Sequence, residues 1–324
     1  MTLRPADSHA PQRGAVLILV LVCMLAVASL VLGALDQSFR QAREPALLAK
    51  EYRADMLAEA GLAAAVQRIQ NRDTLPGADG PLDDWAETWT GPGMTVHIIP
   101  CNAYIDLGWL LPGETKAEQQ TTTEASKRTQ RAVEELLRDA KLPITAAQYL
   151  MDWMDKDTDR ERLHGSEKSA YSSTGKDYFP RNDALPRPEE ALLVREWDDA
   201  TPEWVREHFT LWGEDEAALN LNFAPEDVIR AFLPELEPYV PSLLHYREKF
   251  GLRTPADLMH GDIGVPQEVF LEVDQYVTVS AGTYRVIIDV DSQGWHQRMR
   301  CIVNVNETQW ELICADVLEN WLED

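Results

Sequence analysis

Residues 11–37 read PQRGAVLILVLVCMLAVASLVLGALDQ, and from Ala15 to Leu35 they carry no charge. Coiled as a helix at about 1.5 Å per residue, that run extends about 31 Å, close to the thickness of a bilayer's hydrocarbon core. It predicts a membrane-spanning helix over 15–35. A cleaved signal peptide has a shorter apolar region, of about 7 to 15 residues, followed by a small-residue cleavage site. Ala26-Val27-Ala28 and Leu32-Gly33-Ala34 imitate such a site, so simple secretion stands as the alternative. Arg4 and Arg13 against Asp7 leave the segment before the span slightly basic, so essentially all of the net charge of −24 lies beyond it. Basic residues stay on the cytoplasmic side, which puts the N-terminus inside the inner membrane and the acidic bulk in the periplasm of a Gram-negative cell.

The roughly 290 residues after the span suffice for two or three modules, each with its own core, and an apolar content of 45% favours folding over disorder. With 54 acidic against 30 basic residues, the chain repels phosphate backbones, and no nucleic acid is expected as a partner. The cysteines are Cys23 in the span and Cys101, Cys301 and Cys314 beyond it, with no CxxC or Cys/His spacing suited to zinc. In an oxidising compartment a pair of them can crosslink.

From Gln37 to Arg72, helix formers predominate, and Leu48, Tyr52, Met56, Ala60, Ala63 and Val66 recur at steps of four and three. The pattern predicts a helix over 15–72 that packs this stripe on a globular body, kinks at Pro45 and stops at the LPGADGP of 75–81. Met94, Val96 and Ile98 alternate as a half-buried strand does, and NAYIDLGWL (102–110) holds a second. Over 111–271 helical patterns take over, several entered through Thr-Pro, Ala-Pro or Val-Pro, in two modules of about 111–215 and 216–271. Strands return over 272–324: Tyr284, Val286, Ile288 and Val290 alternate, Asp291 to Gly294 reads as a turn, and strands follow at 296–306 and 309–315 before a charge-rich end. If Glu307-Thr308 is a two-residue turn, Asn306 faces Gln309, and Cys301 falls opposite Cys314 at a close, non-hydrogen-bonded position. A hairpin disulfide is the expectation, with two buried free thiols as its alternative. The whole is α+β: a long N-terminal helix on a small antiparallel sheet (strands in 73–110 and 272–324), interrupted by a large all-α insert.

The densest acidic segment is DWMDKDTDRERLHGSEKSAYSSTGKDYFPRND (152–183). Asp155, Asp157 and Asp159 occupy alternate positions, as oxygen ligands do in many calcium loops, and Glu167 follows. The spacing begins like an EF-hand and departs from it at Arg160, where that motif needs Gly, and at Ser166. A calcium loop of another kind and a solvated mixed-charge loop both fit. There is no HExxH and no GxSxG, so nothing in the motifs asks for catalysis. Trp153, Trp197, Trp204 and Trp212 fit helix packing. LNLNFAPEDVIRAFLPELEPYVPSLLHYREKFG (219–251) resembles a SAM-like or helix-hairpin-helix module. Its turn, LPELEP, carries two Glu and no Gly-x-Gly nest, which favours protein packing over DNA binding.

In order along the chain, Arg13-Gly14, the apolar helix, YIDLGWL, DWMDKD, HGSE, FPRNDALPRPEEALLVREW and LNLNFAPEDV resemble the minor pseudopilin K family of type II secretion systems (the GspK family). The resemblance implies a pseudopilin fold and a leader over 1–14, cut after Gly14 by prepilin peptidase with methylation of the new amine of Ala15. Ala15 departs from the Phe or Met usual in that family. The fifth residue after the cut is Leu19, where most pilins carry Glu and the K type does not. The resemblance further implies a place at the pseudopilus tip, initiating or capping its assembly, and neighbours among the other minor pseudopilins. It extends to contact with the outer-membrane secretin or a secreted substrate, and to calcium on Asp155, Asp157, Asp159 and Glu167. The rivals are a signal-anchored periplasmic enzyme and a DNA-uptake pseudopilin with a DNA-binding module.

Overall fold

The computed structural model describes residues 12–71, 79–111, 116–155, 171, 178–214, 217–306 and 309–322; the side chains of 12–16, 36, 38–44, 116–123 and 322 fall outside that description. In chain order, α1 (Gln12–Gln70) leads to β1 (Trp89–Gly91), β2 (Met94–Pro100) and the two-residue β3 (Ile105–Asp106). Next come α2 (Lys116–Asp139), α3 (Ala146–Met154), α4 (Pro202–His208), β4 (Phe209–Thr210) and β5 (Leu219–Asn220). The chain continues with α5 (Glu226–Phe232), α6 (Val240–Phe250), α7 (Gln267–Val273) and β6 (Val277–Thr278), and ends in β7 (Thr283–Ser292), β8 (Trp295–Val305) and β9 (Trp310–Leu322).

α1 is a single helix that passes through Pro45. Its first half contains the apolar span, whose described side chains from Leu17 to Leu35 are exposed. Its second half lies across β2, β7 and β8. The face it buries is not the expected stripe. Leu48, Tyr52 and Met56 are 63%, 68% and 48% exposed, and Ala60 and Ala63 face solvent too. Of that stripe only Val66 is buried, and it joins Ala54, Ala58, Gly61, Ala65 and Ile69. The reason is distance. A Cβ at Gly61 would stand 3.1 Å from Ile288 Cγ2 and 3.3 Å from Val96 Cγ2, so small side chains let this helix sit close on the sheet, and the larger ones are turned away.

The sheet is antiparallel in the order β1-β2-β7-β8-β9. Strand alternation directs Val96 and Ile98, Val286 and Ile288, and Cys301, Val303 and Val305 into one core with α1. β7 turns into β8 through Gln293 and Gly294, at φ 55° and 76°, the left-handed pair of a type I′ hairpin. At the far end of β8, Asn306 N–H donates to Gln309 O at 3.0 Å, as the two-residue turn requires. The strand that follows is longer than expected and takes the charge-rich tail into β9.

The disulfide geometry is corrected by a bulge. Val303 still faces Leu312, but Ile302 faces Cys314 and Cys301 faces Ala315, because the register shifts at Ile302/Val303. One extra residue in β9 changes which face its side chains take. Cys301 joins the core under α1, Cys314 stands on the opposite face with Ile302, and both thiols are free.

The helical insert leaves after β2 and returns at β7, two strands that pair directly, from Met94↔Val290 to Pro100↔Tyr284. It has its own core, including Trp153 and Trp197. Proline sets several helix starts. At α4, Thr201 Oγ1 accepts from Trp204 N–H at 3.2 Å ahead of Pro202, and Thr254 with Asp257 forms a capping box around Pro255. Short parallel pairs, β3 with β4 and β5 with β6, tie the insert to the segments flanking the sheet.

Candidate functional site

The face of the sheet opposite α1 is where the insert is fastened. Alternation along β8 sends Cys301, Val303 and Val305 to α1 and Arg300 the other way, where it is 1% exposed. Its guanidinium donates from Nη1 to Glu189 Oε1 at 2.6 Å and from Nη2 to Asp316 Oδ2 at 2.9 Å. Glu189 also accepts from Arg206 Nε at 2.8 Å, and Arg187 Nη2 lies 3.0 Å from Asp316 Oδ1. Thus β8 and β9 share a chain of charges with the insert's 188–193 turn and α4. Burial pushes the Glu189 carboxyl up, but hydrogen bonds from Arg300 and Arg206 outweigh it, and the group sits below its ordinary range. On β7, Arg285 donates to the carbonyls of Arg206 at 2.6 Å and Phe209 at 3.2 Å, with its guanidinium 4.3 Å from the centre of the Tyr104 ring. Two buried arginines therefore hold the insert to the sheet.

A second joint lies at the C-terminal end of α1. Arg68 Nη1 donates to Asp84 O at 3.2 Å, linking the helix to the 79–85 segment. Asn222 completes the joint: its Nδ2 donates to Asp79 O at 2.7 Å and Leu252 O at 2.8 Å, and its Oδ1 accepts from Leu252 N–H at 2.8 Å. Trp85 packs beside Phe223 and Tyr284, with ring centres 5.3 Å apart in each case. Asp106 closes a third. Its buried carboxylate accepts from Gly108 N–H at 2.7 Å and Gly213 N–H at 2.6 Å, and a Cβ at Gly213 would come within 2.9 Å of it. Desolvation pushes the Asp106 carboxyl up to about 6 against the pull of those two amides. Within the insert, His208 Nε2 meets Asp227 Oδ2 at 2.8 Å, and Arg128 pairs bidentately with Glu235 at 2.8 and 2.9 Å.

Of the residues singled out from sequence, Gly14 and Ala15 lie in the first turns of α1, and Leu19 is exposed on the span. Asp155 closes α3, its N–H donating to Met151 O at 2.9 Å, with Asp152 buried one turn before it. Asp157, Asp159 and Glu167 lie outside the described residues, as does His164. Among the described residues, no three His, Cys, Asp or Glu side chains gather as a metal site would need. Burial pushes the Cys101 thiol up to about 12 and the Cys301 thiol up to about 11, so both stay protonated and unreactive. What the described residues build is a rigidly seated head. The sequence reading passed over Arg285 and Arg300, although an arginine at the core-flanking positions of YRVIID and RMRCIV is a signal, because a strand with another layer on its second face needs a partner for every polar group there.

The profile described as Type II secretion system (T2SS), protein K, matches residues 105–214. A chain from the crystal structure of the GspK-GspI-GspJ complex of the enterotoxigenic Escherichia coli type 2 secretion system has the same fold, with a TM-score of 0.67. The similarity covers 83% of this chain and 98% of that one at 14% identity. No curated protein matches the sequence.

Proposed function

We infer that the chain belongs to the protein K family of the type II secretion system and is a minor pseudopilin of that system, from the family match over residues 105–214 and the shared fold. We propose that it occupies the tip of the pseudopilus, initiating or capping its assembly for export of folded proteins across the outer membrane. The seating of the insert carries this reading. Asn222 and its partners fix the insert beside the end of α1 remote from the span, while Arg300 and Arg285 fix it against the sheet. A head held there occupies the space into which a following subunit would stack, and the span end stays open to the helices of subunits below. Leu19 agrees with that position. A carboxylate in the bilayer core costs at least ~2.5 kcal/mol on insertion scales unless it is paired, and a subunit with none ahead of it gains nothing from carrying one.

The same reading makes α1 a single-pass anchor in the inner membrane, with the head in the periplasm and prepilin peptidase cutting after Gly14 and methylating Ala15. The complex of the similar chain contains GspI and GspJ, so their counterparts are the proposed neighbours, and the secretin or a secreted protein is what the head would meet. The test has two arms in cells containing prepilin peptidase. Intact mass of the membrane-extracted protein should give a chain beginning at methylated Ala15, and gold label on the head should mark one end of each filament. Label spread along the shaft would sink the tip position, and an uncut Met1 would sink the processing.

The acidic segment is proposed to hold calcium through Asp155, Asp157, Asp159 and Glu167. Hard oxygen donors at alternate positions suit that ion. At a calcium concentration about a hundred times Kd, linkage predicts ~2.7 kcal/mol of added stability, lost in Asp157→Ala. Identical melting in calcium and in chelator would discard the site.

A further inference from the structure

His208, the last residue of α4, meets oxygen at both ring nitrogens. Nδ1 lies 2.7 Å from the Trp204 carbonyl and Nε2 lies 2.8 Å from Asp227 Oδ2, with the side chain only 10% exposed. A carbonyl and an ionised carboxylate can only accept, and a neutral imidazole has a single N–H to give. One of the two contacts would then set lone pair against lone pair, whereas the imidazolium satisfies both. The hydrogen bond from His208 holds the Asp227 carboxyl below its ordinary range, and Val228 N–H donates to Asp227 Oδ1 at 2.9 Å in the first turn of α5. Burial pulls the His208 ring down, but its bonds to Asp227 and the Trp204 carbonyl, with Glu207 as a further nearby acid, outweigh that and raise it above the ordinary value. The Trp204 ring, centred 4.9 Å from that of His208, adds an aromatic face that attracts a cation. The neighbouring cations are engaged elsewhere: Arg206 with Glu189 and Glu203, Arg230 with Glu226, and Arg285 with the carbonyls of Arg206 and Phe209.

We propose that His208 is a protonation-dependent latch between α4 and α5: its imidazolium ties the two helices together, and release of its proton in alkaline surroundings lets α4 shift against α5. The two helices are supported from different sides, α4 by the 188–193 turn and α5 by α2, so the His208–Asp227 pair bridges parts of the insert that rest on separate neighbours. Arg285 of β7 grips the backbone on either side of His208, at Arg206 and Phe209. Loosening the ring therefore reaches the seat of the insert on the sheet. A histidine whose folded value is raised contributes stability that is complete below its unfolded value of 6.5 and is lost as pH climbs through the folded one. The latch is thus closed in acid and opens with base, opposite in sense to the contribution of Glu189, which is lost on acidification.

The test uses the full-length chain in detergent. Amide hydrogen exchange is read by mass spectrometry at several values between about pH 5 and about pH 9, corrected for the chemical exchange rate, with β7 and β8 as internal reference. Peptides from 202–210 and 226–232 should lose protection several-fold, relative to that reference, as pH rises through the folded value of His208. His208→Gln, which cannot titrate, should be less protected there in acid and should show no such change with pH. Asp227→Asn should move the loss to lower pH, because the carboxylate that holds the proton is gone. The latch is overturned if parent and His208→Gln lose protection in parallel, or if Asp227→Asn leaves the midpoint where it was. Should His208→Gln fail to fold, the Asp227→Asn comparison decides by itself. Protection in the parent that stays flat across the range overturns the proposal without any variant.

Discussion

Arg300→Ala should lower the thermal midpoint of the full chain in detergent by on the order of 10 °C. Removing one partner of a buried ion network leaves the others desolvated and uncompensated, at about 3–5 kcal/mol. Here the stranded groups are Glu189 and Asp316, both largely buried, which would keep only Arg206 and Arg187 as cations. Arg298→Ala, two residues away on the same strand face, is the matched control. Its pair with Asp289 is about half exposed and should be worth no more than about 1 kcal/mol. Equal, small shifts for both variants would show that the junction does not depend on the buried arginine.

The second expectation is a loss of stability as pH rises from about 4 to about 6, carried by Asp106. Its folded-state carboxyl is raised from 3.8 to about 6, so the native chain holds a proton that the unfolded chain has released in that interval. An acid with a raised folded value contributes stability that is complete below the unfolded value and is lost as pH climbs through the folded one. The size is about 3 kcal/mol, at 1.36 kcal/mol per unit. Glu189, Glu235 and Asp227 are shifted the opposite way and lose their contributions on acidification, so the total curve mixes both signs. Asp106→Asn isolates the one component. The lost hydrogen bond from Gly213 shifts that variant's stability by an almost constant amount, whereas the difference in slope between parent and variant reports the proton. Parallel slopes between pH 4 and 6 would remove the assignment.

Much of the architecture was legible because it rests on short-range signals. Alternation at Met94–Ile98 and Tyr284–Val290 gives strands, Pro at first turns gives helix starts, and an uncharged run gives a span. Three features escaped for physical reasons. The buried face of α1 is mostly Ala and Gly, with Val66 and Ile69 toward its end, and hydrophobic periodicity undervalues it, since close approach depends on what side chains lack. The β8/β9 bulge is a one-residue event that no alternation count detects, and it decides which face Cys314 occupies. The sheet–insert junction joins Arg300 to Glu189 across more than a hundred residues of sequence, and nothing local to either residue names the other.

The direct pairing of β2 with β7 has a consequence for the order in which the chain can assemble. β7, β8 and β9 are joined by tight hairpins and can zip as they emerge, but β2 must wait until everything between Pro100 and Tyr284 has been closed into one loop. Long-range pairing of this kind is slow, because the closure entropy is spent before the strand contacts repay it. The cost grows only by about 0.6 kcal/mol for each doubling of the loop, so what governs the wait is whether the insert has already folded and brought its two ends together. The head is then the clasp of the body as well as its burden: a chain whose insert fails to fold keeps a three-stranded C-terminal sheet and leaves β2 without its partner.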